Sequence, residues 1–568
     1  MFVKVTQSGG RRYVQLVESF RDAQGCVKKR TVATLGRLDQ LGTELESVIT
    51  GLMKVTGQAM PDASASASAL PELQFESARS LGDVWALTEL WNSLGFDQLR
   101  QVFRRTRLRI DVEALVRIMV LNRLCDPDSK LGVLRWLETI SLPGVIPEAI
   151  EHQHLLRAMD ALMAHREAVD TLVAERLRPL IDQTLSVVFY DMTTIRAEGL
   201  SEQQGDVRQY GLAKEGVIAR QFMLGVVQTS DGVPLYHEVF DGNTAEVTTL
   251  KPTIEKVLAR FPIRRIIAVA DRGLLSTDNL AELQSMRLPC GAPLEFILAV
   301  PGRRYSEFAQ LLAPFTDRHP QPLQTDVVDE LCWEGLRLIV AHNPVQATEQ
   351  SAQRDRSIAE LETRAREWTG KLDAQDCGSR SRGRKLSDGG ARARFYHEVC
   401  EAHLARIVRV DLKSELFTYH IDEQALAHTR VMDGKLLLVT NVTDLTPPQI
   451  LERYKSLADI ERGFRVLKSE IEIGPVYHRL PERIRAHAMI CFIALVLYRV
   501  LRTRLKDQNT GLSPERALSV LRRIQHHRAK LPDDKTIEGL SSITPEQTAI
   551  FSAMGVAKPD KNRQLTLL

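Results

Sequence analysis

Two short apolar runs along the chain each close on an aspartate. Ser186, Val187, Val188, Phe189 and Tyr190 lead into Asp191, and Ile266, Ile267, Ala268, Val269 and Ala270 lead into Asp271. Both are rich in β-branched and aromatic residues, five or six long and bounded by turn formers, which predicts buried strands that release an acid at their ends. Between them, apolar residues 221–229 and 233–240 flank Ser230-Asp231-Gly232, a hairpin signal. Helices are predicted over 246–260 and 277–285, and another strand over 295–300. The order is three strands, helix, strand, helix, strand.

Elsewhere the pattern changes. Residues 2–38 alternate strand-like segments around turns at 9–10 and 22–25, which predicts a small β-meander. Residues 58–71, rich in Ala, Ser and Pro, read as a linker. From 80 to 182 the period is helical, with Trp85, Leu87, Leu90, Trp91 and Leu94 on one apolar stripe. Residues 345–405 are highly charged and helical in pattern, with an arginine-rich loop at 378–385 and strand-like pieces at 336–341, 405–410 and 435–442. The apolar stretch 488–498 is too short to span a bilayer and predicts a buried helix. The tail after Lys506 reads as helical, with Ser513-Pro514-Glu515 as a cap and first turn.

The chemistry concentrates at 454–468, where Tyr454, Glu461 and Lys468 recur every seven residues. Two helical turns take about 7.2 residues, so one continuous helix presents all three on one face, with Leu457 and Phe464 beside them to seat it on a core. A phenol, a carboxylate and an ammonium suit a phosphate substrate. With Asp191 and Asp271, Glu461 completes a set of three carboxylates. Like charges brought together raise one another's pKa, and divalent cations are what make such a set stable. The element order with acids in these places is that of an α/β, ribonuclease-H-like core. The stretch from Asp271 to Glu461 is more than twice that from Asp191 to Asp271, so a large insertion interrupts the core.

These residues resemble the bacterial insertion-sequence transposases of the DDE type, in the branch with a Y-(2)-R-(3)-E-(6)-K helix. Tyr454, Glu461 and Lys468 fit that signature, while Leu457 stands in place of its arginine; Arg462 and Arg465 are the substitutes at hand. Gly242-Asn243, Asp271-Arg272-Gly273 and the segments 475–478 and 485–487 also resemble this branch. The resemblance implies that Asp191, Asp271 and Glu461 are catalytic and hold two Mg2+ ions, with Mn2+ as a substitute. It implies DNA contacts from Tyr454, Lys468, Arg462 and Arg465, and marks Trp333 in the insertion as a ring that could receive a flipped base. The partners implied are double-stranded DNA, both transposon terminal inverted repeats and target, and a second copy of the chain in a homodimer. The layout is then a small β domain at 1–56, a linker at 57–75, a helical DNA-end-binding region at 76–183, the core at 184–300 and 446–505, the insertion domain at 301–445 and a helical tail at 506–568.

Composition adds limits. A 568-residue chain, 44% hydrophobic, has ample core for several domains. The start MFVKVTQSGG has no apolar signal region, and seven scattered cysteines without a CxxC pair argue for a reducing compartment and against structural zinc. The expectation is a cytoplasmic, nucleoid-associated protein with no membrane partner. A net charge of +3 announces no nucleic acid, so DNA contacts rest on local patches such as 100–109 and the 378–385 loop. Two other functions share these features: a metal-dependent nuclease without strand transfer, and a DNA-binding derivative without chemistry.

Overall fold

The computed structural model describes residues 2–8, 11–21, 27–37, 74–104, 110–181, 186–199, 202–212, 218–244, 248–261, 263–270, 277–288, 290–308, 310–319, 323–378, 386–531 and 534–560. The linker at 58–71, the basic residues 105–109, most of the 378–385 loop and Asp271 lie outside them. The chain forms two compact units, residues 1–77 with 528–538, and residues 78–527 with 539–568.

In the first unit, β1 (Phe2–Ser8), β2 (Arg11–Arg21) and β3 (Val27–Arg37) make a three-stranded antiparallel sheet, with β2 in the middle and Val14 and Val17 buried. Strand β4 (Gln74–Ser80) follows.

The second unit opens with helices α1 (Gly82–Ser93), α2 (Val112–Cys125), α3 (Lys130–Thr139), α4 (His152–Ala164) and α5 (Arg166–Leu177). Asp111 and Ser129 cap α2 and α3 by accepting the N–H groups of Ala114 and Gly132. The single stripe expected on α1 is too narrow. Gly82, Asp83 and Thr88 are buried along with the apolar residues, because the helix lies within the core.

The main sheet has nine strands: β5 (Ser186–Arg196), β6 (Gln209–Leu212), β7 (Ile218–Thr229), β8 (Pro234–Asp241), β9 (Ile266–Ala270), β10 (Glu295–Ala299), β11 (Val327–Trp333), β12 (Leu336–His342) and β15 (Lys435–Thr440). Five of them run β8–β7–β5–β9–β10, with β7 antiparallel to its neighbours and β5, β9 and β10 parallel. Every residue of β9 is buried, as a parallel strand covered on both faces requires. Helix α6 (Leu250–Arg260) joins β8 to β9, and α7 (Thr277–Ser285) precedes β10.

The expected insertion boundaries at 301 and 445 cut through this sheet. Strands β15, β12 and β11 continue it antiparallel beyond β10, because β10 would otherwise be an open edge. Only the middle of the segment builds its own small core, where α8 (Pro344–Asp376), α9 (Asp388–Glu401) and α10 (Glu423–Met432) enclose Ile358, Leu361, Phe395 and Leu426 beside the pair β13 (Val408–Val410) and β14 (Tyr419–Ile421). The tail also departs from expectation. After α14 (Pro514–Leu521), which Ser513 caps through the Arg516 N–H, come strands β16 (Gln525–Lys530) and β17 (Thr536–Leu540) before α15 (Pro545–Met554).

Helix α13 (Pro481–Asp507) runs through the middle of this unit. It is long and apolar enough to cross a membrane, yet residues 486–501 are all buried against α2, α4 and β8. It is a core helix, apolar all round because it is covered all round. His237 of β8 stacks on its Phe492 at 4.5 Å. Burial, and then Arg166, push His237 down to about 3, so the folded state holds it neutral.

A depressed histidine stabilises the fold above the ordinary histidine pKa and loses that contribution as pH falls toward its folded value. Urea unfolding at pH 7 and pH 5 is expected to show His237→Phe escaping about 2 kcal/mol of the wild-type loss. An equal loss in both proteins would count against a buried neutral imidazole.

Candidate active site

Asp191 does not end its strand. β5 continues to Arg196, and Asp191 lies at its centre, partly buried, with Oδ1 accepting the N–H of Met192 at 2.7 Å. The strand outruns the apolar run because Met192, Thr193, Thr194 and Ile195 keep pairing with β7. On one side Asp191 is opposite Val226 of β7; on the other, the described ladder with β9 runs in register from Ser186 opposite Ile266 to Tyr190 opposite Ala270. Asp271 is the next residue of the chain and lies outside the described residues.

Alternation divides the side chains of β5 between two faces. Tyr190 points to the α6 side, where its hydroxyl donates to Thr249 Oγ1 at 2.6 Å. Glu238 of β8 belongs to that face and is already neutralised. Arg166 and Lys256 each approach it to 2.6 Å, and Tyr236 donates to it at 2.5 Å. Burial would raise its pKa, but Arg166 and these donors hold it at about 2. Asp191 belongs to the opposite face with Phe189, Val226, Gln228 and His237, and α13 lies on that side.

The tract expected to be one helix is broken. α11 (Pro447–Lys455) begins with a Thr446–Gln449 capping box and ends at Ser456; α12 (Ala458–Arg465) follows after a short turn, and residues 466–470 form a π-helical turn. Tyr454, Glu461 and Lys468 therefore stand on three successive pieces rather than one straight stripe. Single π turns are rare and recur at functional sites. Leu457 and Phe464 are buried and seat the segment, Tyr454 is half-buried, and Arg462, Arg465 and Lys468 are exposed. Glu461 lies on α12, with its side chain outside the described residues. Trp333 lies elsewhere. It ends β11, half-buried, with its ring 5.0 Å from Phe308 in the core, so it is not presented as a base-receiving platform.

Helix α12 packs on β5, and its closest approach to the sheet is marked by Gly463. A β-carbon there would lie 2.6 Å from Gln228 Nε2 and 3.2 Å from Arg499 Nη2. Gln228 is fully buried, and neither of its amide atoms has a hydrogen-bond partner among the described residues. Arg499 of α13 also lies beside Gly232, in the β7–β8 turn at φ +76°. The sequence reading passed over Gln228 and Gly463. Their signal was a polar residue inside the otherwise apolar run QFMLGVVQT and a glycine inside a helix.

Among the described residues no three His, Cys, Asp or Glu side chains are grouped to hold a metal ion; two of the three expected acids are not among those side chains. What the structure offers a cation is one face of the sheet that carries Asp191, has an unsatisfied buried amide nearby, and is approached by the helix bearing Glu461.

A family model described as the transposase DDE domain matches residues 182–497, more than half of the chain. The chain is a DDE transposase. A second model, the N-terminal domain of the IS1634 family of transposases, matches residues 3–65. No protein of curated function matches the chain. This transposase is thus an enzyme of DNA transposition from an insertion sequence, its catalytic domain mixed α/β and of a ribonuclease-H-like class that depends on divalent metal.

Gly463→Val should wedge α12 away from β7. DNA cleavage is expected to fall by about a hundredfold, with far-UV circular dichroism unchanged, and Gln228→Ala in the same chain should restore part of it. Wild-type cleavage by the single variant would remove the close approach from the catalytic geometry.

Proposed function

We propose that this transposase cleaves DNA at the ends of its own insertion sequence and joins the freed 3′-hydroxyl to target DNA, using Asp191, Asp271 and Glu461. The observation that carries this is the β5–β9 register. It sets Tyr190 opposite Ala270, the residues that immediately precede Asp191 and Asp271 in the chain, on the sheet that α12 packs against.

In the first step the oxygen of water attacks phosphorus, the bond to the 3′-oxygen breaks, and that oxygen leaves as the strand's 3′-hydroxyl. In the second, this hydroxyl attacks a target phosphodiester, and the target's own 3′-oxygen departs. Both displacements are in line, so positioning and charge neutralisation supply most of the acceleration. The three acids would hold the divalent cations, for which we propose two Mg2+ ions, replaceable by Mn2+. Bound there, the cations supply Lewis acidity and neutralise phosphoryl charge. Asp191 is suited to this role because it is partly buried on the face of the sheet opposite Glu238, whose charge Arg166 and Lys256 already balance. Lys468, Arg462 and Arg465, exposed after Glu461, would meet phosphates of the terminal strand, and Tyr454 would brace that strand at the end of α11.

The ends of the element are the terminal inverted repeats, which we propose are cut as a pair by a homodimer in the bacterial cytoplasm, at the nucleoid. The helices α1–α5, read from sequence as an end-binding region, share one hydrophobic core with the catalytic sheet. End recognition by them would thus be rigidly coupled to the acids.

Asp191→Asn, Asp271→Asn and Glu461→Gln are each expected to lower Mg2+-dependent nicking by about 10³-fold, with thermal stability and end binding nearly unchanged. Nicking at the wild-type rate by any one would remove that residue from the mechanism. Joining of a labelled 3′-hydroxyl end to a plasmid separates a transposase from a nuclease of the same fold. In that assay Lys468→Ala should cost about tenfold or more without changing the Mg2+ requirement.

A further inference from the structure

We infer that a second anion site, a phosphate-binding cleft walled by α2, α3, α4 and the start of α13, takes a phosphodiester of the DNA strand at a distance from the three acids. The cleft has a volume of about 740 Å³, and its charged lining is Arg123, Lys130, Arg479 and Arg483 against Asp128 and Glu472, with His478 and His487 beside them. Lys130 is the decisive residue. Its side chain is almost wholly buried, and its ammonium has no ion pair among the described residues. A buried ammonium without a carboxylate is costly, and a bound anion removes the cost.

The surroundings repeat the same imbalance. Arg123, 4% exposed, donates through Nη1 to the carbonyls of Ile471 and Glu472 and has no partner for its Nε among the described residues. His487, 7% exposed, donates through Nε2 to the carbonyl of Ile473, and its Nδ1 has no partner among the described residues. Of the nearby acids, Asp128 pairs with Arg135 and Asp160 with Arg483, while Glu472, also on the cleft wall, is exposed to solvent. Two helices start at the cleft, α3 with Lys130 in its first turn and α13, whose first turn has no side-chain cap, and both direct the positive ends of their dipoles toward it. The cations also oppose one another. Burial and Arg123 push Lys130 down to about 7, while burial and Lys130 push His478 down to about 3.

Position argues for a DNA phosphate. Val476, in the cleft wall, bridges to Ala197, six residues beyond Asp191 along the same chain segment. At 3.3 Å per residue the cleft lies about 20 Å from Asp191, beyond the reach of the phosphate being cut but within a few nucleotides of it. Tyr477, 70% exposed, stands at the mouth beside exposed Arg479, an aromatic surface on which a base can stack. The DNA source rests on the transposase reading. The preference for phosphate does not.

Thermal unfolding of the full chain in sodium phosphate, against sodium chloride of equal ionic strength, tests the site itself. Phosphate should raise the midpoint of the wild type but not of Lys130→Met, and that variant should be the more stable one in chloride alone. An equal phosphate shift in both would overturn the site. Arg479→Ala, at an exposed position, provides a second variant if Lys130→Met fails to fold, and it should weaken the phosphate shift. Titration of a short labelled duplex tests the source. Lys130→Met should bind about tenfold more weakly, with a salt slope lower by about one. A lost phosphate shift with unchanged duplex affinity and slope would overturn the DNA source and leave a free phosphate compound as the occupant. Asp191→Asn should keep the phosphate shift, so failure of the catalytic acids and failure of this cleft are read separately.

Discussion

The lateral placement of β5 between a parallel and an antiparallel neighbour constrains everything on the catalytic face. Antiparallel pairing with β7 is tied down by a hairpin that continues into β8, so β5 cannot slip without dragging two strands. Parallel pairing with β9 has no such local connection and depends on α6 to return the chain in register. A slip of one residue on either side would turn Asp191 toward α6, into the territory of Tyr190 and Glu238. The all-apolar β9 resists that slip only through packing on both faces, and for this reason the sheet is flanked by helices on each side.

On the Asp191 face, α13 fixes the distance at which α12 can lie. Its residues 486–501 are buried without a break, leaving little freedom to rotate, and Arg499 reaches both the β7–β8 turn and Gly463. The missing β-carbon at Gly463 lets α12 approach the sheet more closely than any other residue would allow. Gln228 bears the energetic cost, since a buried amide without partners is destabilising by a few kcal/mol. Such a cost persists at positions where function opposes stability. An apolar residue of the same size would stabilise the strand and remove the amide that faces Gly463 from β7.

Much of this was legible in the sequence, and the reasons differ by element. β7, β8, β9 and β10 announced themselves because buried strands of β-branched residues and an Asp-Gly turn have a local signature, and α13 because it is uniformly apolar. The end of β5 was not legible: Met192 to Ile195 mix polar and apolar residues, and only pairing with β7 makes them strand. The sevenfold spacing of Tyr454, Glu461 and Lys468 was read as one helix because periodicity cannot see the break at Ser456 or the π turn at 466–470. β11, β12 and β15 looked like parts of a separate domain because nothing local says which edge a strand joins. Trp333 was singled out by position, and Phe308 far away in sequence decides that it packs. Gln228 and Lys130 were invisible for the same reason, since an unpartnered polar group is defined by what the fold fails to bring near it.

A net charge of only +3 looks at odds with a protein whose substrate is a polyanion, and the arrangement of its charges resolves this. Many surface arginines are consumed locally. Arg265 is shared between Glu295 and Asp444, Arg337 pairs with Glu330, and Arg100, within the most basic tract of the sequence, is held by Asp111 and Glu113. Such pairs cancel at a distance and attract DNA weakly. Among the described residues, further positive charge gathers at two places, the exposed residues after Glu461 and the cleft around Lys130. A chain built this way gains little from long-range steering, and its grip on DNA comes from short-range fit at a few phosphates. Its affinity should therefore depend on the geometry of the bound strand more than on the total charge of either partner.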